Sequence, residues 1–327
     1  MRAMILSAGY GTRLWPLTED RTKPAIPILG QPLVGYVAQY LASYGYRDIV
    51  VNLHHQPESV RAALGDGSRF GVTLTYVEEP TILGTSGALD NAREFLDGGT
   101  FIAINGKIIT DIDLNAALET HRNTNALATL VLLPNVTRAR FSVVETRDDL
   151  VTGFGGMPTP ASDLLAEAPP LMFTGIQILD PRIFDYIPRG IFSHSTTDVY
   201  PQAIARGERV AAHVAQGRWY ELSTIQRYLE VSLIMLAASG KNVSAGARCR
   251  IDDDQDVSDS ILWDDVTIDA GARVSRAVVG DGVRIRSGET IENAAVVPAA
   301  LVKGKTPPAK ALKGEVRGEN FVVPLTR

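Results

Sequence analysis

The sequence predicts an α/β fold, a doubly wound and mostly parallel sheet of Rossmann-like type, followed by a small parallel β-helix. Three observations carry this. Over residues 1–240, apolar runs of strand length alternate with segments whose apolar residues recur every three or four positions. From 241 to 302 the aliphatic period changes to six. The first apolar run, 3–8, breaks at Gly9 and Gly11, where the backbone can turn sharply and approach a ligand with no Cβ in the way.

The elements follow in order. Residues 3–8 suit a buried first strand. Leu33, Val37, Tyr40, Leu41 and Tyr44 recur at helical spacing and stop at Gly45, an amphipathic helix. Strands are expected at 49–53, 72–77, 101–104 and 127–133, with helical segments at 60–64, 88–96 and 114–120. Alternation of this kind gives a parallel sheet covered on both faces, with ligands at the carboxyl ends of its strands. The loop after the first strand is therefore the expected nucleotide site.

That loop exposes main-chain N–H groups suited to phosphate oxygens. Arg13 adds a planar fork of donors and Lys23 a mobile point charge. The dinucleotide fingerprint wants a third glycine, and the Walker loop ends in Gly-Lys-Ser/Thr; neither is present. The run Gly9, Gly11, Thr12, Arg13, Leu14, Pro16, Leu17, Thr18 and then Lys23-Pro24 closely resembles the signature of the sugar-nucleotide pyrophosphorylases, with Thr22 where the family usually has proline. These nucleotidyltransferases join a nucleoside triphosphate to a sugar 1-phosphate. Within the family, the chain resembles bacterial mannose-1-phosphate guanylyltransferase-like proteins.

The resemblance implies catalytic roles for Arg13 and Lys23 and a nucleotide seat along Ala8, Gly9, Gly11 and Thr12. A second block, Glu79-Pro80 and then Leu83 to Leu89, brings Gly84 and Gly87 ahead of a helix whose free N–H groups would face the same crevice. The family's corresponding turn lies against nucleobase and sugar. Asn105, Gly106, Thr174 and Gly175 match positions around its sugar. His54 and His55 match too, and with no third ligand at sensible spacing they read as structural rather than metal-binding.

In the third block the sequence departs from its relatives. The family holds Mg²⁺ with an aspartate after Asn-Gly, and this chain has Lys107 there. The family's second metal carboxylate falls on Glu221, and Asp111 is a candidate substitute, although Asp113 is better read as the cap of the following helix. A unit charge about 4 Å from a divalent ion, at an effective dielectric of about 20, interacts by roughly 8 kcal/mol, so aspartate to lysine turns an attraction of that order into a repulsion. Either the ion is displaced, or the ammonium does part of its work.

Between these blocks, 141–145 and 171–179 read as strands, joined by a Gly- and Pro-rich loop over 153–170 that lacks the family's usual lysine. Ser223 and Gln226 have capping-box spacing ahead of an apolar helix, 225–238, closing at Gly240. Then Ile251 and Val257, Leu262, Ile268 and Val274, and Val279, Ile285, Ile291 and Val297 recur every six residues. That is the hexapeptide signature, and nine positions would make about three coils. Left-handed winding and homo-oligomer formation are what the resemblance implies. Residues 303–327 read as a solvated tail, rich in lysine and proline to 313.

A net charge of −5 argues against a nucleic-acid partner, and a single cysteine, Cys249, excludes an internal disulfide. No apolar run reaches membrane-spanning length, and the residues before Gly9 are too few for a signal peptide, so a cytoplasmic protein without a membrane partner is expected. Two functions remain: an active NDP-sugar synthase, or a sugar-nucleotide-binding homologue silenced by Lys107, naturally or by deliberate substitution. An acyltransferase built on the β-helix would want a histidine between coils, and none follows His213.

Overall fold

The first apolar run becomes β1 (Ala3–Leu6), whose Ala3, Met4 and Ile5 are wholly enclosed. In this computed structural model, which describes residues 2–158, 168–252 and 256–325, it lies in a nine-stranded sheet. The other strands are β2 (Asp48–Leu53), β3 (Thr73–Glu78), β4 (Phe101–Asn105), β5 (Ala128–Pro134), β6 (Val143–Arg147), β7 (Leu150–Phe154), β8 (Leu171–Leu179) and β9 (Val210–Val214). Side by side they run β3-β2-β1-β4-β8-β5-β9-β7-β6. The first four are parallel, as alternation with helices dictates, and so are β5 and β9.

The rest of the sheet is antiparallel, a refinement of the mostly parallel expectation. β8 runs against both β4 and β5, and β7 against β9 and β6. β7 occupies the start of the expected 153–170 loop, of which residues 159–167 lie outside the described residues. Its turn explains it: Asp148 and Asp149 both have positive φ, 50° and 60°, the two-residue geometry that folds a strand back on itself. The sheet packs on an apolar cluster in which Phe101 stacks on Phe184 at 5.7 Å.

The compact units do not follow the linear division at residue 240. One comprises Met1–Ala8, Val37–His54 and Gly65–Trp219, and contains the nine-stranded sheet. The other comprises Gly9–Tyr36, His55–Leu64 and Tyr220–Arg327, and so joins the signature loop to the β-helix.

In the second unit the helix Ile225–Ala238 is capped by Thr224, whose hydroxyl accepts from the Arg227 N–H at 3.1 Å, and not by Ser223. The six-residue period then does what it predicts, and the left-handed β-helix buries a column of aliphatic side chains. Leu262 pairs with Val279, Ile268 with Ile285 and Val274 with Ile291, one coil apart each time. On the last coil Val296, not Val297, is in register with Val279 and enters this core. Keeping the coil length constant decides this, and Val297 instead pairs with Phe321.

The tail is not merely solvated. After the short helix Ala299–Val302, residues Glu315–Arg317 and Asn320–Pro324 form a hairpin, and its second strand extends the β-helix sheet antiparallel to Thr290–Pro298. Phe321 meets the Trp15 ring edge-on at 5.4 Å. No helix is long and apolar enough to cross a membrane, among the described residues.

Candidate active site

The residues singled out in the sequence fall into two groups, one per unit. In the second unit the signature loop folds onto itself. Gly11 takes φ +68°, and a Cβ there would stand 3.1 Å from Cβ of Lys23 and 3.3 Å from Cγ2 of Thr18, so its glycine brings the two ends of the signature together. Thr12 and Arg13 begin a short 3-10 turn closed by the Leu14 N–H donating to the Gly11 carbonyl at 2.9 Å. Lys23 opens a second such turn behind Thr22, whose N–H donates to Ser59 Oγ at 3.0 Å.

Two features leave this loop open to a ligand. A Cβ at Gly9 would touch nothing within 4 Å, so no protein packing requires a glycine there. Arg13 is exposed and makes no hydrogen bond or ion pair among the described residues. An unsatisfied guanidinium beside bare main chain is what a polyphosphate needs.

In the first unit, a chain of buried hydrogen bonds ties the end of β1 to the second glycine turn. The Ser7 N–H donates to Asn52 Oδ1 at 2.7 Å, Asn52 Nδ2 to Glu79 Oε1 at 2.6 Å, and the Leu83 N–H to Glu79 Oε2 at 2.9 Å. Glu79 is 4% exposed, and burial pushes its carboxyl above the usual range, against the opposing pull of those two donors. Neither Asn52 nor Glu79 stood out as functional in the sequence; the signal was there in Glu79-Pro80 opening the second block. His54 belongs to the same network, its Nδ1 2.8 Å from the Glu79 carbonyl oxygen, in keeping with the structural reading.

The second glycine turn differs from its expectation. Its helix spans Gly84–Asn91, but the N–H groups of Ser86 and Gly87 both donate to the Ser193 carbonyl, at 3.1 and 3.3 Å, and are not free. The glycines make room for that passing strand of backbone: a Cβ on Gly84 would come within 2.4 Å of Ser193 O, and one on Gly87 within 2.7 Å of Ile191 O.

Asn105 ends β4, and Gly106 donates its N–H to Leu6 O at 2.9 Å. Gly106 sits so close to Ser7 that a Cβ would lie 2.5 Å from its Oγ, a buried hydroxyl without a partner among the described residues. Gly175, at φ +83° in the β8 irregularity, leaves the space that the Asn105 side chain fills. Thr174, by contrast, donates its hydroxyl to Val131 O at 2.7 Å, and its own carbonyl accepts from Trp219 Nε1 at 2.9 Å. The Phe141 ring stands edge-on to Trp219 at 5.4 Å. Trp219 is thereby held at the residue before Gly175.

Lys107 occupies the turn between β4 and the short strand Ile108–Thr110. Asp111 is already engaged: both its oxygens accept from Arg218, Oδ1 from the main-chain N–H and Oδ2 from Nε, each at 2.6 Å. That N–H first, and the guanidinium with it, hold its carboxyl below the usual range. Asp113 caps its helix as expected, accepting from the Asn115 N–H at 2.9 Å. Glu221 lies in the second unit, 4% exposed in the strand Trp219–Glu221.

The nucleotidyl transferase family model matches residues 2–237, and the GlmU-like, C-terminal hexapeptide model matches 221–296. The chain belongs to the nucleotidyl transferase family. It is 30% identical to the UTP–glucose-1-phosphate uridylyltransferase of Synechocystis sp., over 87% of this chain and 76% of that protein. It is 33% identical to the N-acetylmuramate alpha-1-phosphate uridylyltransferase of Neisseria meningitidis (72% and 98% covered). The mannose-1-phosphate guanylyltransferase of Mycobacterium tuberculosis shares 27% (89% and 82%). The solved structure of HddC from Yersinia pseudotuberculosis superposes with a TM-score of 0.62 at 21% identity, over 72% of this chain and 99% of that one, which supports the fold. The three relatives compared by sequence are sugar-1-phosphate nucleotidyltransferases, and the chain's family chemistry is NDP-sugar synthesis with release of pyrophosphate.

The family generally uses a divalent metal ion. The side chains here do not fit a resident one. An ammonium stands at the aspartate position, the nearby Asp111 is neutralised by Arg218, and no group of three potential ligands occurs among the described residues.

Proposed function

We propose that the chain makes an NDP-sugar by positioning, with Arg13 and Lys23 as its catalytic cations. The oxygen of a sugar 1-phosphate attacks the α-phosphorus of a nucleoside triphosphate in line, and pyrophosphate departs. Arg13 takes the charge that gathers on the leaving pyrophosphate, while Lys23 holds the α-phosphate and the sugar phosphate. Ala8, Gly9, Gly11 and Thr12 offer main-chain contacts to the nucleotide, with Gly84 and Gly87 beside the base. Asn105, Gly106 and Gly175 receive the sugar, a glucose-, N-acetylhexosamine- or mannose-type 1-phosphate, and Thr174 acts only through its fold.

The observation that carries this reading is Arg13, exposed and without a hydrogen bond or ion pair among the described residues, four positions after a glycine whose Cβ would meet nothing within 4 Å. Mg²⁺ belongs in this scheme as the counter-ion that the triphosphate brings with it, since Lys107 stands at the aspartate position and Asp111 is paired with Arg218. The net charge of −5 suits a cytoplasmic protein with neither nucleic acid nor membrane as partner, and the hexapeptide domain suits a homo-oligomer.

Lys107 favours a second reading, a protein that binds sugar nucleotide without turning it over. A turnover assay across the common nucleoside triphosphates and sugar 1-phosphates, with Mg²⁺, separates the two. The unchanged chain is expected to release pyrophosphate with at least one pair. Turnover only in Lys107→Asp would hand the function to the silent reading.

A further inference from the structure

The lysine-rich stretch after the β-helix walls a cavity of about 790 Å³, wholly within the second unit and not used by the chemistry above. Its apolar lining comes from Trp15, Val302, Leu312, Val316 and Phe321. Leu312 and Val316 are 41% and 63% exposed, a large apolar cost to leave facing water. Gly314 is required by this wall, because a Cβ there would stand 2.6 Å from Phe321 Cζ.

Charge at the cavity is one-sided. Lys303, Lys305 and Lys313 line it against a single acid, Glu319, which Arg286 already pairs at 2.9 Å. Lys303 and Lys313 are exposed and make no ion pair among the described residues. An apolar chamber of several hundred Å³ with a few polar groups at its mouth is the usual form of a small-molecule site. Among the described residues, the charged lining side chains without an ion pair are both cationic, Lys303 and Lys313.

The remaining lysine leads back to the signature loop. Lys305 Nζ lies 3.2 Å from Glu19 Oε1, and the other oxygen of Glu19 accepts from Trp15 Nε1 at 2.7 Å. The Glu19 carbonyl accepts from Gln56 Nε2 at 2.7 Å. An anion drawn to Lys305 competes with Glu19, and Glu19 and Trp15 are within a few residues of Arg13.

We propose that this cavity binds a small amphipathic anion, an apolar body carrying one carboxylate or phosphate, and that its occupancy alters the signature loop through Lys305 and Glu19. Binding is read first with anilinonaphthalene sulfonate fluorescence, displaced by octanoate, phenyl phosphate or neutral octanol. One saturable site is expected, with octanoate or phenyl phosphate displacing the dye at least tenfold better than octanol. Lys303→Glu with Lys313→Glu, two exposed positions, should remove that preference, and Ala300→Trp, which fills the cavity, should remove the site. Bound octanoate should then shift nucleoside triphosphate affinity at least threefold in the unchanged chain and not in Ala300→Trp. Equal displacement by octanol, or undiminished dye binding in Ala300→Trp, overturns the site. A dye signal that vanishes as the chain associates with itself would give the cavity to a second copy instead and equally overturn it. Saturable binding with no change in triphosphate affinity overturns the regulatory half.

Discussion

The two glycine turns look alike in the sequence and are opposite in the structure. Gly9 to Lys23 is open: a Cβ on Gly9 would meet nothing within 4 Å, and the arginine four residues on has no hydrogen bond or ion pair among the described residues. Gly84 to Gly87 is closed, the N–H groups of Ser86 and Gly87 taken by the Ser193 carbonyl and the glycines' missing side chains replaced by the backbone of Ile191 and Ser193. A glycine can make room for a ligand or for the protein itself, and only the neighbours distinguish the two.

Alanine tests that contrast most sharply. Gly84→Ala combines a φ of +77° with a contact to Ser193 O far inside van der Waals distance, and should cost about 3 kcal/mol or more in urea unfolding. Gly9→Ala should leave stability within about 0.5 kcal/mol. It should instead weaken triphosphate binding in calorimetry about tenfold. Equal destabilisation by both would erase the distinction between the turns.

The support beneath the closed turn comes next. Glu79→Gln keeps an acceptor for Asn52 but turns an amide NH₂ toward the Leu83 N–H, leaving a buried donor unsatisfied at about 1–3 kcal/mol. Its pH dependence has a definite sign. Burial raises the Glu79 carboxyl, so its contribution is fully present below the ordinary carboxylate range and is lost as pH rises through the elevated folded value. Unfolding measured from acid to neutral pH should show that decline in the unchanged chain and not in Glu79→Gln.

Asp111 carries the opposite sign and the smallest effect. Arg218 lowers its carboxyl, so its contribution is present above the ordinary range and fades as pH falls through the lowered folded value. Its partner is largely exposed, and solvent screens the pair. Asp111→Asn should therefore be slightly less stable than the unchanged chain at neutral pH, and the gap should close in acid.

Local pattern carried much of this. Residues 3–8, the helix stopped by Gly45, Asp113 as a cap and the six-residue period of the β-helix were all legible, because period and capping are properties of neighbours in sequence. What escaped depends on distant partners. Ser193 closing the Gly84 turn lies more than a hundred residues away, and Arg218 reaching Asp111 equally so. The direction of β8 and the hairpin that turns the tail into part of the β-helix sheet likewise rest on pairing that no window of residues displays. The cap at Thr224 instead of Ser223, and Val296 instead of Val297 in the last coil, are single-residue shifts of the kind periodicity leaves open.

The loop's grip on phosphate is tested most directly by titrating a nucleoside triphosphate into the unchanged chain and into Arg13→Ala by calorimetry. Losing a charge-assisted contact of about 1.5–3 kcal/mol predicts roughly 10- to 100-fold weaker binding, with an unchanged unfolding profile. Equal affinity in the two proteins would contradict the account.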